Sequence, residues 1–250
     1  MNQDIQLIAI DMDGTLLNQQ HEISEQNKQA IHEAKERGIH VVISTGRSLS
    51  TCKDIIQVLG DSEFLITING GEIFDKRLEL VERNPLHHDE VRQLWNITNK
   101  HDVFFWSSTV QGRFNSENPF EKNLEDYDWI KYGFEIQDDN VREAVMSDLQ
   151  AVKSFEITNS SPTNIEINPI GINKATALKK VTSWLDISMK QVAAIGDSLN
   201  DIAMIRESGF GIAMGNAQQT VKEEANWITA TNEEHGVAKA IRHILDGQTK

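Results

Sequence analysis

Two aspartates separated by one residue, Asp11 and Asp13 in the stretch IAIDMDGTLL (residues 8–17), are the first place in this 250-residue chain where side-chain types and spacing could do chemistry. On an extended backbone, side chains at i and i+2 leave on the same side. Gly14 then lets the chain turn away where a Cβ could obstruct it. A second acidic stretch, GDSLND (residues 196–201), supplies Asp197, Asn200 and Asp201. Four carboxylates gathered in one place repel each other, and they protonate or unfold the chain unless a cation neutralises them. All-oxygen ligands suit a hard divalent ion, so Mg²⁺ is the implied cofactor, its shell completed by water and a substrate phosphate oxygen. Thr45 and Gly46, in STGR (residues 44–47), offer a hydroxyl and an unobstructed backbone N–H, both fitted to a phosphate oxygen. Lys174, in NKATAL (residues 173–178), adds a cation that matters if an anion sits in front of it. Each piece alone has a plainer reading: an acidic turn, an N-cap between strand and helix, a surface lysine. Together they describe a phosphate handled with a divalent cation.

The elements needed to assemble these residues are legible in the hydrophobic pattern. Residues 7–10 form an apolar run of the length of a strand buried on both faces, ending at Asp11. Residues 23–38 read as a helix, with Ser24 as its cap, Ala30, Ile31 and Ala34 on one face, and Gly38 as its stop. Residues 39–43 are the next buried strand, which makes a βαβ unit with parallel strands and adjacent carboxyl ends. A helix at 49–59, a strand at 64–68 and the turn Asn69-Gly70-Gly71 follow. After Pro169 the alternation resumes: a helix from Asn173 with Leu178, Val181 and Leu185 on one face, then a strand at 192–195. A helix at 202–207, a strand at 210–213, a helix at 217–225, a strand at 227–229 and a helix at 237–245 complete it. The fold class is α/β, a Rossmann-like parallel sheet with helices on both faces and its chemistry at the carboxyl edge.

Residues 82–169 differ in character. They hold 11 of the 16 aromatics in about a third of the length, which points to a second hydrophobic core. Helices near 89–100 and 140–152, with strands near 103–108, 134–137, 155–159 and 164–168, describe an inserted α/β module. The expected organisation is therefore a core of residues 1–81 and 170–250 with an insert at 82–169. Most of the aromatics are read as filling for the small sheet. The pair His87-His88 is read as solvated ahead of a helix, not as metal ligands.

Bulk properties narrow the function further. A formal charge of −14 and a pI of about 5.0 argue against nucleic acid or an anionic membrane as the main partner. Cys52, the one cysteine, rules out an internal disulfide and fits a reducing compartment. The first residues, MNQDIQ, lack a basic leader and no apolar run approaches spanning length, so a cytoplasmic location is expected.

Taken in order, DMDGT, STGR, the lysine of NKATAL and GDSLND resemble the four motifs of the haloacid dehalogenase-like (HAD) phosphatase superfamily. The run AMGNAQQTVKEEANWIT, followed by NEEHGVAKAI, resembles its Cof-type branch of small-molecule phosphatases. Nearly the whole core is covered, and the insert matches by position and size. Ala175 departs from the family pattern, which usually has glycine directly after the motif lysine. The resemblance implies that Asp11 is a nucleophile forming an aspartyl-phosphate. Asp13 would protonate the leaving oxygen and then take a proton from the hydrolytic water. Mg²⁺ would lie on the Asp11 carboxylate, the Asp13 backbone carbonyl and the Asp197 carboxylate. Thr45, Gly46, Lys174 and Asn200 would hold the phosphoryl oxygens, helped by the Met12 backbone N–H, while Asp201 would orient Lys174 or a metal-bound water. The insert would be the larger α/β type of cap, closing over the cleft and choosing the leaving group. A small phosphorylated metabolite such as a sugar phosphate is the expected substrate. Two rivals share these residues: a phosphosugar mutase or other phosphotransferase, and a non-catalytic binder of phosphorylated ligands. A receiver-type signalling domain would lack both the second aspartate at i+2 and the insert.

Overall fold

The structure, a computed structural model, describes residues 4–60 and 62–248. All four residues of β1 (Leu7–Ile10) are buried, as an unbroken apolar run requires. The helix α1 (Glu25–Glu36) begins at Ser24, whose side chain accepts the Asn27 N–H, and it buries Ala30, Ile31 and Ala34. Next come β2 (His40–Ser44), α2 (Leu49–Gln57) and β3 (Phe64–Thr67). The chain then reverses within residues 68–71, and β4 (Glu72–Asp75) returns antiparallel to β3, with β5 (Leu80–Arg83) beyond it. The sequence pattern predicted parallel strands throughout. A link this short cannot hold the crossover of a dozen or more residues that a parallel partner needs, so the sheet ends in an antiparallel edge.

The insert comprises α3 (His88–His101), β6 (Phe104–Thr109), β7 (Arg113–Asn115), β8 (Trp129–Glu135), α4 (Asp139–Val152), β9 (Phe155–Thr158) and β10 (Asn164–Pro169). Thereafter α5 (Lys174–Trp184), β11 (Val192–Gly196), α6 (Ile202–Glu207), β12 (Phe210–Ala213), α7 (Gln219–Glu224), β13 (Trp227–Ile228) and α8 (Gly236–Gln248) follow. Two compact units result, Met1–Val81 with Lys174–Lys250, and Glu82–Asn173.

In the first unit the strand order is β13-β12-β11-β1-β2-β3-β4-β5. The sheet is parallel from β13 to β3, and β1 lies between β11 and β2. The second unit is an antiparallel sheet of order β7-β6-β8-β10-β9 with its own core, in which Trp129, Tyr132 and Phe134 are fully buried. Its aromatics pack edge to face, Trp95 on Phe105 at 5.4 Å and Phe120 on Trp129 at 5.4 Å. Their polar atoms are satisfied: Trp129 Nε1 donates to the Leu124 carbonyl at 2.7 Å, and Tyr132 OH lies 2.7 Å from Thr98 Oγ1. Most of these rings are thus core filling. His87 and His88 are exposed at the start of α3.

The sequence pattern missed β7 and began β8 too late. Lys131 and Gly133 break the apolar run, yet Lys131 is buried against Glu166 at 3.0 Å. Gly133 lies under the Trp106 ring, where a Cβ would stand 2.2 Å from the indole. Among the described residues no helix is long and apolar enough to cross a membrane.

Candidate active site

The parallel register brings three chain segments to one edge. Ile10 pairs with Ile43 of β2 and with Ile195 of β11. Asp11 is one residue past that row, and Thr45 and Asp197 are two past it. The Asp11 N–H donates to the Ile195 carbonyl at 3.0 Å, so the acid sits where β1 leaves the sheet. A wide turn over Met12–Leu16 follows, closed by Leu16 N–H to the Asp11 carbonyl (3.2 Å) and Leu17 N–H to the Met12 carbonyl (2.9 Å). Gly14 has φ of +76°, and a Cβ there would stand 2.5 Å from Asp197 Oδ2. Only glycine meets both conditions.

At the centre lies Lys174, the first residue of α5 and fully buried. Its Nζ donates to Asp11 Oδ1 and to Asp201 Oδ1, each at 2.6 Å. Asp201 Oδ2 accepts the N–H groups of Asp197 (2.9 Å) and Ser198 (3.1 Å). Asp197 accepts Thr15 Oγ1 at 3.2 Å on one oxygen and Ser198 Oγ at 3.0 Å on the other. Carboxylate oxygens of Asp11, Asp197 and Asp201 lie within 4.8 Å of one another.

Two buried acids, Asp11 and Asp201, share one ammonium beside the half-buried Asp197, and burial together with this excess of acids sets the titration behaviour. Burial, then the Asp201 charge, holds the Asp11 carboxyl well above the ordinary carboxylate range despite Lys174. Burial and the Asp201 charge likewise push Asp197 up to about 7. Burial would lower the Lys174 ammonium, but Asp11 and Asp201 outweigh it and hold it above its usual range. With all three acids ionised, the cluster would carry more negative charge than its lysine neutralises, on hard oxygen donors. That is the environment a small divalent cation fits.

Asp13 lies apart from this cluster. Its carboxylate is gripped by Arg47, Nε to Oδ2 at 2.8 Å and Nη2 to Oδ1 at 2.6 Å, and Arg47 Nη1 also donates to the Thr51 carbonyl at 3.4 Å. Thr45 is fully buried, its Oγ1 accepting the Arg47 N–H at 3.1 Å, and Gly46 is half-buried beside it. Asn200 is buried and donates to Asn69 Oδ1 at 3.3 Å. That contact draws the turn after β3 into the site. Ile68 and Asn69 there both have φ of +54°, a conformation costly for a β-branched residue.

Of the residues that the sequence proposed for metal binding, Asp11 and Asp197 were assigned through their carboxylates and Asp13 through its backbone carbonyl. Asp11 and Asp197 lie together with Asp201, which also receives Lys174, whereas the Asp13 carboxylate faces Arg47. Sequence reasoning gave no role to Arg47 or Thr15, although STGR and DMDGT display them, and left Asn69 as a turn residue. Only pairing geometry distinguishes these from ordinary turn residues.

A family model described as haloacid dehalogenase-like hydrolase matches residues 8–148 and 113–241. The 5-amino-6-(5-phospho-D-ribitylamino)uracil phosphatase YcsE of Bacillus subtilis is 57% identical over 240 residues, covering 96% of each chain. The phosphatase YwpJ of the same organism is 31% identical, covering 96% of this chain and 100% of its own. Among solved structures, a haloacid dehalogenase-like hydrolase from B. subtilis superposes with a TM-score of 0.87 at 27% identity, covering 96% of this chain and 100% of that one.

Proposed function

This chain belongs to the haloacid dehalogenase-like hydrolases and is a phosphatase, and from that premise we propose that it is a Mg²⁺-dependent phosphomonoesterase of 5-amino-6-(5-phospho-D-ribitylamino)uracil working through an aspartyl-phosphate on Asp11. The observation that carries the mechanism is the cluster of Asp11, Asp197 and Asp201, with carboxylate oxygens within 4.8 Å of one another and the Lys174 ammonium 2.6 Å from Asp11 and Asp201. The substrate is taken from the activity for which the relative at 57% identity is named.

Asp11 attacks phosphorus in line, the bond from phosphorus to the ribityl oxygen breaks, and Asp13 delivers a proton to that oxygen. Water then attacks phosphorus, Asp13 takes its proton, and the bond to Asp11 breaks to release inorganic phosphate. For Asp13 to reach the leaving oxygen, its pairing with Arg47 has to open. A carboxylate about 4 Å from a phosphate dianion is repelled by roughly 8 kcal/mol at an effective dielectric near 20, and the Lys174 ammonium offsets part of this. Mg²⁺, held by the carboxylates of Asp11 and Asp197 and the backbone carbonyl of Asp13, would supply the remaining compensating charge. Thr45, Gly46, Lys174 and Asn200, with the Met12 N–H, hold the phosphoryl oxygens, and Asp201 keeps Lys174 in place. The unit Glu82–Asn173 acts as the cap that selects the leaving group. The reaction belongs in the cytoplasm, where phosphorylated intermediates are made and consumed.

The test is phosphate release from this substrate with Mg²⁺, beside Asp11→Asn and a panel of sugar phosphates. Release that is lost in Asp11→Asn is the expected result. Normal turnover by that variant would overturn the nucleophile, and a preference for another phosphomonoester would overturn the substrate. Release of phosphate from a generic aryl phosphate separates this reading from a mutase.

A further inference from the structure

The turn that carries the nucleophile has a weakness built into it. Gly14 is required for the close approach to Asp197, yet glycine restrains its own peptide less than any other residue. Besides the two backbone hydrogen bonds that close the turn, side-chain amides restrain it here. Asn216 Nδ2 donates to the Gly14 carbonyl at 2.8 Å, Asn27 Nδ2 to the Leu16 carbonyl at 3.3 Å, and Asn232 Nδ2 to the Leu17 carbonyl at 2.9 Å. Two of these amides are held at both ends. Asn216 Oδ1 accepts the Asn232 N–H at 2.9 Å, and Asn27 Oδ1 accepts the Ala238 N–H of α8 at 3.0 Å. An amide used at both ends cannot rotate without breaking two hydrogen bonds. Asn216 lies in AMGNA and Asn232 in NEEHG, motifs to which the mechanism assigns no task.

We propose that Asn216, backed by Asn232, is a positioning residue for phosphoryl transfer: it fixes the Gly14–Thr15 peptide, and through it the reacting carboxylates. The link to the chemistry is short. Thr15, joined to that peptide, donates Oγ1 to Asp197 Oδ1 at 3.2 Å, and the same turn holds Asp11 and Asp13. If the Gly14 carbonyl swings, Thr15 leaves Asp197 and Asp13 shifts with the turn. Asn27 is buried and supports α8, so its loss would threaten folding. Asn216 is exposed, so its loss should not.

This proposal rests on the reading of Asp11 as nucleophile, and its test separates the two. Asn216→Ala and Asn232→Ala are assayed for kcat, KM, thermal midpoint and inhibition by orthovanadate, a mimic of five-coordinate phosphorus, beside Asp11→Asn. A positioning role predicts kcat lower by about tenfold in Asn216→Ala, with KM within about twofold and the thermal midpoint unchanged. Vanadate binding should weaken by the same factor as kcat, because both report the transition-state geometry. The double variant should lose less than the product of the single losses, since both amides act on one turn. An unchanged kcat in Asn216→Ala beside an inert Asp11→Asn overturns this proposal alone. So does a kcat loss that leaves vanadate binding intact. Normal turnover by Asp11→Asn overturns both readings.

Discussion

Each unit of this molecule buries a lysine, and the two are used differently. In the second unit Lys131 faces Glu166 at 3.0 Å and lies 5.2 Å from the centre of the Trp106 ring. The other oxygen of Glu166 accepts Ser160 Oγ at 2.8 Å and Asn164 Nδ2 at 3.2 Å. Charges there are matched. In the first unit Lys174 meets Asp11 and Asp201 at 2.6 Å, with Asp197 in the same cluster. Charges there are not matched. Burial of a lysine therefore does not by itself mark chemistry. An excess of one sign around it does, because that excess has to be answered by something that binds.

The sharpest way to break the comparison is to remove each ammonium in turn. If Lys174 holds the phosphoryl group as proposed, Lys174→Met should lower phosphate release at saturating Mg²⁺ by about a thousandfold. Adding Asp201→Leu should not restore turnover. A variant that kept its rate and lost only stability would make Lys174 structural. Lys131→Met should instead cost about 3–5 kcal/mol in denaturant unfolding, since Glu166 is left buried without its partner. Adding Glu166→Leu should recover most of that loss, as apolar pairs often replace buried ion pairs at little cost. Failure to recover would give the matched pair a role beyond packing.

The same contrast explains how much was legible in the chain itself. The parallel core could be read because its strands are unbroken apolar runs, and because Asp11, Thr45 and Asp197 each stand just past the end of one. In the insert, Lys131 and Gly133 looked like polar and flexible interruptions, and β8 lost its first five residues. A buried lysine is indistinguishable from a surface lysine until its carboxylate is found, and Glu166 lies 35 residues further on. The Arg47–Asp13 pairing was equally hidden, since STGR gives the arginine but not the direction of its guanidinium. The antiparallel edge at β4 was missed for another reason. Its cause is the length of a link, and the turn Asn69-Gly70-Gly71 reads the same before a helix as before a returning strand.

A smaller effect sharpens the comparison through pH. Asp197 is pushed to about 7 in the folded protein against an ordinary 3.8, so without metal the folded state holds a proton that the unfolded chain releases. Its contribution to stability is fully present below about pH 4 and is lost as pH rises through about 7, by an amount on the order of a few kcal/mol. The thermal midpoint of the metal-free protein should fall between pH 5 and pH 8, and less so in Asp197→Asn. Mg²⁺ should raise the midpoint at pH 8 far more than at pH 5, because metal and proton compete for the same oxygens. Equal shifts at both pH values would mean that the cation binds elsewhere.

The smallest expected effect sets the zero of the scale. Arg206 Nε and Glu224 Oε2 are 2.9 Å apart, a geometry as good as that of the buried pairs, but their side chains are 56% and 39% exposed. Water solvates both ions before and after folding, and salt screens what attraction remains. Arg206→Gln should therefore leave the thermal midpoint and phosphate release where they were, at low and at high ionic strength. Should it lower the midpoint as far as Lys131→Met does, ion pairing in general, and not the withdrawal of charge from water, would govern both lysines. The charge imbalance around Lys174 would then lose its standing as the feature that separates the two units.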